Sequence, residues 1–263
     1  MANIIEEINL SKQTALNPAL ADLILQAGEH SAFQQLRSFG EKLKRQALDE
    51  RELKVFFATL WGFFEAFPTG ILALALRVTD DWSSRDPWEA TAKGAYVLFA
   101  DVDEFGLQEV NRKIHRSHHQ MFMDFTEHLG VTRADMQNPA LAMPEGAALG
   151  KLVARLYREA PLAHGLGMHL ASELIASVEF MYFLAGFEAQ AAAYGLSEPN
   201  HPALTFFRIH TLVEPEHLAR NCELIEQYLD RKLIDISGLR QGIDEYFNGF
   251  EQVYRQFNSQ LLP

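Results

Sequence analysis

The sequence is dominated by long stretches in which apolar residues recur every three or four positions, and strand-like alternation is scarce. This period is typical of amphipathic helices, so it restricts the chain to an all-α fold. No repeat of fixed length and no low-complexity linker is visible. We therefore predict one domain over residues 1–263, a bundle of about eight or nine helices. Among them we expect helices at about residues 17–38, 108–129, 164–194, 203–213 and 216–230.

The charge balance, the length of the apolar runs and the cysteine content limit the partners and the location expected for this protein. The chain carries 35 acidic and 23 basic residues, a formal net charge of −12, so we expect no binding to nucleic acid or to an anionic membrane surface. Its most apolar run, at residues 55–67, is shorter than the roughly 20 residues that span a bilayer. The single cysteine, Cys222, excludes internal disulfides, and the N-terminus has no secretory pattern. We therefore predict a cytoplasmic protein.

Two local features could carry catalysis, and each has a simpler structural interpretation. Gly146, Gly150 and Lys151 resemble a phosphate-binding loop, but the spacing is one residue short and no strand precedes it. Cys222 could act as a nucleophile, although a lone cysteine in an amphipathic helix is more often a small core residue. Neither feature gives a functional assignment.

The segment from His210 to His217 carries a stronger signal. His210, Glu214 and His217 lie at positions i, i+4 and i+7, which fall within about 60° of one another on a helix surface. Two imidazoles and a carboxylate that converge on one point suit iron, manganese or zinc. Pro215 favours a helix break after Glu214, and the alternative is that both histidines are ordinary helix residues.

Two further donor residues lie on either side of a glycine. Glu104 ends an apolar helix, where a buried carboxylate needs a partner, and His118 shares a helix face with phenylalanines. A straight helix would separate Glu104 from His118 by about 21 Å, so we expect the chain to reverse direction near the intervening glycine. His115 remains a substitute candidate, whereas His119 and His128 are expected to face solvent.

A sixth donor lies in the long apolar segment 164–194. Glu179 has almost no other charge near it in the sequence, so its carboxylate must be paired, protonated or bound to a metal. A salt bridge with Arg208 is the alternative to metal binding. Glu173 lies six residues earlier, about 120° around the helix, and is expected on a different face, although it could replace an assigned ligand.

Together these segments resemble the heme-oxygenase-like iron-dependent oxidases, a family related to the TenA and PqqC folds. The pattern of that family is a glutamate in a D-E-x-G-like segment, a histidine before an apolar run, a glutamate on a long central helix, and then H-x3-[DE]-x2-H. The matching residues here are Glu104, His118, Glu179, His210, Glu214 and His217. Their order and spacing agree over residues 50–230, with a glutamate at position 214 where the family has an Asp-like residue.

The resemblance implies an all-α, heme-oxygenase-like bundle with a dinuclear iron site in its core. Two ferrous ions held by these six residues would activate O2 to oxidise a small organic substrate, with Glu179 as the bridging carboxylate, and no residue is assigned as catalytic. A homodimer is implied by the resemblance alone. The alternatives are a metal-independent PqqC-like or TenA-like enzyme, in which Cys222 would be the TenA-type nucleophile, and a non-enzymatic helical interaction protein.

One predicted helix is rich in aromatic side chains, namely Phe56, Phe57, Trp61, Phe63, Phe64 and Phe67. Such a stripe is more often plain core than the lining of a substrate site. The same helix carries Glu65, a candidate seventh ligand that we expect to be solvated. The identity of the substrate does not follow from the sequence.

Overall fold

The computed structural model describes residues 17–100, 102–105, 107–108, 113–114, 116–198 and 200–262, at 99–100, 103–104, 107–108 and 113–114 by their backbone alone. Helices follow one another along almost all of these residues, so the predicted all-α class is confirmed. Their bounds are α1 Pro18–Ala27, α2 Ser31–Arg45, α3 Glu50–Phe64, α4 Phe67–Ser83, α5 Pro87–Ala100, α6 His118–His128, α7 Arg133–Met136, α8 Pro144–Arg158, α9 Leu162–Ala189, α10 Thr205–Asp230 and α11 Ile236–Gln260. Short 3-10 turns lie at Val102–Phe105 and Pro202–Leu204, and β1 (Leu107–Gln108) pairs with β2 (Lys113–Ile114) in an antiparallel ladder.

Helix α9 is the central element of the bundle, because its sequence is apolar on every side. A helix of this kind is stable only when neighbours surround it, and α9 packs against α2, α8, α10 and α11. Its Leu170 and Phe183 side chains are fully buried. The close approach of α11 depends on Gly167 and Gly242, because a Cβ at either position would overlap the backbone of the other helix. The core therefore forms around α9.

Two helical segments are long and apolar enough to cross a membrane, judged by length and composition alone. They are Glu50–Ser83 and Leu162–Ala189. The most apolar window of the first is 44% buried inside the protein and that of the second is 72% buried. The apolar character of α9 is thus accounted for by its place in the core.

Two predicted helix boundaries are wrong, each for a local reason. The segment 17–38 forms two helices, because His30 caps the first turn of α2 with its side chain. The segment 164–194 is helical only to Ala189, and turns follow up to Gly195, whose φ of 67° an L-residue rarely adopts. The glycine therefore marks the end of the turns and not the end of the helix.

The predicted break after Glu214 is also wrong, since α10 runs without interruption through Pro215. A proline inside a helix removes one backbone hydrogen bond and crowds the preceding turn. Packing of α10 against α9 and α5 offsets this loss, because buried side chains occur along its whole length. Residues 210, 214 and 217 therefore lie on one continuous helix, and all three are buried.

The chain before α6 differs from the helix predicted at 108–129. It forms the β1–β2 ladder, and α6 begins only at His118, after a capping box in which Ser117 and Gln120 each accept a hydrogen bond from the backbone N–H of the other. The ladder is antiparallel, so the chain reverses between its strands, and the 3-10 turn Val102–Phe105 packs against α6. The expected reversal is therefore present, a few residues later than predicted.

The glycines of the apparent phosphate-binding motif serve helix packing. Gly146 and Gly150 lie inside α8, where a Cβ at Gly146 would overlap the backbone of Thr59 and one at Gly150 would overlap that of Gly62. Both of these partners belong to α3, so the two helices approach closely along this face. The likeness to a phosphate-binding loop is thus incidental.

Candidate metal centre

A partly open cavity is bounded by α3, α4, α6, α9, α10 and α11, and the space inside it that admits water is about 80 Å³. The acidic and imidazole side chains come from α6, α9 and α10, whereas α3 and α4 contribute only apolar ones. The described lining residues are Phe63, Phe64, Phe67, Ile71, His118, His119, Phe122, Ser172, Glu173, Ala176, Glu179, Phe180, Phe206, His210, Glu214, His217 and Tyr246.

Three of these groups lie close enough together to share a metal ion. Ligand atoms of Glu173, Glu214 and His217 lie within 4.8 Å of one another, and all three side chains are buried. His217 Nδ1 is 3.5 Å from Glu173 Oε2 and 4.0 Å from Glu214 Oε2. Two ligands that are each about 2.1 Å from one ion are themselves about 3 Å or more apart. The observed spacings therefore suit a common cation.

A second pair of imidazoles lines the same cavity. The ring centroids of His118 and His210 are 4.3 Å apart, although these residues come from α6 and α10. His210 Nδ1 is 2.7 Å from the backbone carbonyl oxygen of Phe206, and because a carbonyl can only accept, this nitrogen carries the proton. His210 Nε2 then holds the lone pair that a metal requires, an arrangement common among metal-binding histidines.

Glu179 faces the cavity from α9 and has its hydrogen-bond partner on the last helix. The Tyr254 hydroxyl donates to Glu179 Oε1, and both side chains are buried. Burial raises the pKa of Glu179 to about 8, and the hydrogen bond from Tyr254 opposes this only in part. Burial also raises the pKa of Tyr254 well above its usual value. Without a cation nearby, Glu179 is therefore mostly protonated at pH 7.

Glu173 is held in the opposite charge state by histidines. Burial by itself would raise the pKa of Glu173, but the hydrogen bond from His217 and the proximity of His169 bring it below its usual value. His169 Nδ1 is 3.8 Å from Glu173 Oε1 and 3.0 Å from the Tyr157 hydroxyl. Glu173 is therefore ionised at neutral pH, within a buried chain of contacts that runs from Tyr157 to His217.

The chemistry of this donor set fits divalent cations. Three carboxylates and four imidazoles line the cavity, and no lysine or arginine is among its described lining residues. Buried carboxylates are costly unless hydrogen bonds or cations compensate them. Oxygen and imidazole donors without thiolates suit a redox-active metal such as iron or manganese. The residues present thus fit the type of metal centre that the sequence resemblance implies.

Most of the residues assigned from sequence lie at this cavity. Those that line it are His118, Glu179, His210, Glu214 and His217. Glu104 lies in the 3-10 turn that packs against α6, but its side chain is outside the described residues, and so is the whole of His115. The structure therefore brings together donors from three separate segments. Their assignment as metal ligands stays a prediction.

Two expectations about neighbouring residues are wrong, and one alternative is not supported. Glu173 lines the same cavity as Glu179, because the cavity extends along α9 far enough to reach both carboxylates. Arg208 pairs with Glu188 at 3.1 Å, which does not support the alternative salt bridge between Arg208 and Glu179. His119, expected in solvent, is half-buried, and its Nε2 lies 3.2 Å from a backbone carbonyl oxygen of α3. By contrast, His128 is exposed as predicted.

The sequence analysis did not find His169, Tyr246 and Tyr254. The signal for His169 was its position one helical turn before Glu173 in the same apolar segment, where a polar side chain needs a partner. Tyr246 and Tyr254 lie eight residues apart on one face of α11. Nothing in that spacing separates them from ordinary core tyrosines.

Two other candidates lie away from the cavity. Cys222 is buried on α10, and burial raises the pKa of its thiol to about 12, which keeps it protonated and unreactive. Glu65 is exposed at the end of α3, as expected. No thiol occurs among the described lining residues, so a TenA-type nucleophile has no counterpart in that part of the chain.

One known family matches the part of the chain that carries the acidic and imidazole side chains of the cavity. Its description is iron-containing redox enzyme, and the match covers residues 72–245 of the 263. The chain belongs to this family. The family resemblance and the heme-oxygenase-like, all-α fold predicted from sequence are thereby confirmed. Every carboxylate and imidazole of the described cavity lining lies within the matched range, whereas Tyr246 and Tyr254 lie beyond it. No curated protein matches the sequence.

Proposed function

We propose that this protein is a dinuclear non-heme iron oxidase or oxygenase that uses O2 to oxidise a small organic substrate. The convergence of three buried carboxylates and three buried imidazoles on one cavity carries this proposal. Membership of the iron-containing redox enzyme family supports iron as the metal. The number of ions and the use of O2 rest on the size of the donor set and on the sequence resemblance.

The donors divide into two groups in this proposal. Glu173, Glu214 and His217 would hold one ion, since their ligand atoms already lie within 4.8 Å of one another. His118 and His210 would hold the second, with Glu179 and, from the 3-10 turn, Glu104. Glu179 keeps Oε2 for a metal because Oε1 accepts the hydrogen bond from Tyr254. Glu173 would be held in place for its ion by the contact of its other carboxylate oxygen with His169.

The contribution of the chain itself is to bind, to orient and to exclude water. Bound ferrous iron would supply the electrons that activate O2. The contacts of Glu173 with His169, and of His169 with Tyr157, fix the direction in which the carboxylate points. The aromatic lining keeps water away from the reacting groups, which protects a strong oxidant from side reactions.

Metal analysis after anaerobic loading with ferrous iron tests the proposal. We expect two iron ions per chain and an absorbance change when O2 is admitted. His217→Ala removes a donor of the tightest group and should lose iron. His128→Ala is the matched control, because this exposed histidine on α6 lies against the backbone carbonyl oxygen of Tyr194 and the ring of His201 and does not line the cavity. Wild-type protein without bound iron, or full iron content in His217→Ala, would refute the assignment.

A further inference from the structure

The two sides of the cavity differ in chemistry. Helices α3 and α4 contribute Phe63, Phe64, Phe67 and Ile71, which we call the apolar wall, whereas α9 and α10 carry the carboxylates. We propose that the apolar wall binds the substrate as a single aromatic ring, uncharged on the side that faces the wall, with its reactive substituent directed at the acidic and imidazole groups opposite. The inference rests on the proposed function for the reaction, but ring binding can be tested without iron.

Unfilled space beside the apolar wall is unfavourable in a folded protein. Protein interiors pack as densely as organic crystals, and the wall of a void loses contacts that a filled core would have. The neighbouring core is packed in this way: the Phe56 ring lies 4.9 Å from that of Phe57, 5.3 Å from Phe183 and 5.1 Å from Phe257. A ligand that fills the cavity would offset the loss. Because this small cavity must also hold metal ions and their water ligands, one ring fits better than a fused ring system.

Aromatic side chains meet this cavity from every helix that bounds it. The ring centroid of Phe64 is 5.4 Å from that of Phe122 and 6.3 Å from that of Phe180, and the centroid of Phe67 is 6.5 Å from that of Tyr246. The interplanar angles of these pairs are 57°, 57° and 88°. A ligand in the cavity would therefore meet both faces and edges of the surrounding rings. An aromatic ligand can pair with faces and edges, which a saturated ring of the same size does less well. The lining therefore favours an aromatic ring over an alicyclic one.

The apolar wall offers no counter-ion to a charged ligand. None of its four residues is polar, and the described lining of the whole cavity contains no lysine or arginine. His119 of α6 lies beside the wall, with its Nε2 3.2 Å from the backbone carbonyl oxygen of Phe64. A charge on the far end of the ligand would therefore be buried without a partner. Charge is tolerated only at the end that faces the carboxylates or their metal ions.

Isothermal titration calorimetry with three matched probes tests the proposal, on metal-free protein and on anaerobic iron-loaded protein. The probes are benzyl alcohol, cyclohexylmethanol, which has a saturated ring, and para-(hydroxymethyl)benzoate, which adds a charge at the far end. We expect benzyl alcohol to bind about fivefold more tightly than cyclohexylmethanol. We expect the benzoate probe to bind metal-free protein at least about 100-fold more weakly than benzyl alcohol, because its charge then meets either the apolar wall or the carboxylates. Equal affinity of the metal-free protein for any two of the three probes would overturn the proposal.

Variants of the wall separate the cavity from general packing. Phe64→Leu keeps the half-buried position apolar but removes its ring. The variant should therefore bind benzyl alcohol and cyclohexylmethanol with nearly equal affinity. Phe33→Leu is the matched control, because this buried ring packs on Phe247 and does not line the cavity. Ile71→Phe narrows the cavity and should weaken benzyl alcohol binding at least about tenfold. Unchanged affinities in both wall variants would overturn the proposal.

The two proposals fail in different ways. A wild-type protein that binds benzyl alcohol but takes up no ferrous iron would refute the dinuclear iron function and leave the aromatic site standing. A protein that takes up two iron ions and binds none of the probes would refute the aromatic site alone.

Discussion

Replacing Glu179 with glutamine measures what an uncompensated carboxyl group does to the stability of the metal-free protein. Burial raises the pKa of Glu179 from its ordinary value of 4.5 to about 8, and the hydrogen bond from Tyr254 opposes this only in part. Glutamine has nearly the same shape but does not titrate. The difference between the two proteins therefore isolates the ionisation of this one group.

The raised pKa fixes the direction and the pH range of the effect. A group whose pKa is higher in the folded than in the unfolded state contributes fully to stability below the unfolded pKa, and this contribution is lost as the pH rises through the folded pKa. For Glu179 the range runs from pH 4.5 to about 8. The gap of about 3.5 between the two pKa values corresponds to about 5 kcal/mol, at about 1.4 kcal/mol for each pH unit.

Urea denaturation in the presence of a chelator, at several pH values between 4 and 9, measures the effect. The free energy of unfolding of the wild type, relative to Glu179→Gln, should fall by about 5 kcal/mol across that range. Saturating ferrous iron should abolish the fall, because a metal stabilises the ionised carboxylate. Glu188→Gln, on the exposed side of the same helix, is the matched control. The reasoning would be refuted if the difference in free energy of unfolding between the two proteins did not depend on pH. It would also be refuted if the wild type became more stable relative to the variant as the pH rises.

Three further experiments test the packing and the helix capping of the bundle. Cys222 should not react with a thiol reagent in the folded protein, because burial raises the pKa of its thiol to about 12, and should react fully in urea; rapid labelling without denaturant would contradict this. Gly150→Ala should lower the free energy of unfolding by about 1–3 kcal/mol, because its Cβ would overlap the Gly62 backbone, and an unchanged denaturation curve would show that α3 and α8 can separate at little cost. Asp49→Ala should lower it by about 1 kcal/mol, because Asp49 and Glu52 form the capping box of α3, and a melting temperature equal to that of the wild type would argue against that role.

The donors on α10 could be predicted because their relation is local. His210, Glu214 and His217 follow the helical period, so the spacing alone places them on one face, and the helix is long enough to hold all three. The same geometry gives the correct angle between Glu173 and Glu179 around α9. The conclusion that the two carboxylates serve different sites is wrong, because the geometry of one helix does not reveal the width of a cavity and this cavity reaches both residues.

The features that sequence analysis missed depend on contacts between distant segments. Pro215 predicts a helix break by its own chemistry, yet packing against α5 and α9 keeps α10 continuous. The β1–β2 ladder replaces a helix that periodicity favoured, and its position depends on the reversal that brings the 3-10 turn Val102–Phe105 to α6. The contact between Tyr254 and Glu179 joins residues 75 positions apart, and no local pattern records it.

The place of α11 in the chain has a consequence for the order in which the protein matures. This helix follows the other helices of the cavity in the chain, yet it carries Tyr246, which lines the cavity, and Tyr254, which donates a hydrogen bond to a carboxylate inside it. Contacts between distant residues form late because a long loop must close first. A nascent chain that lacks α11 therefore has neither the Tyr246 lining nor the hydrogen bond to Glu179, and the cavity is completed only after this helix has been synthesised.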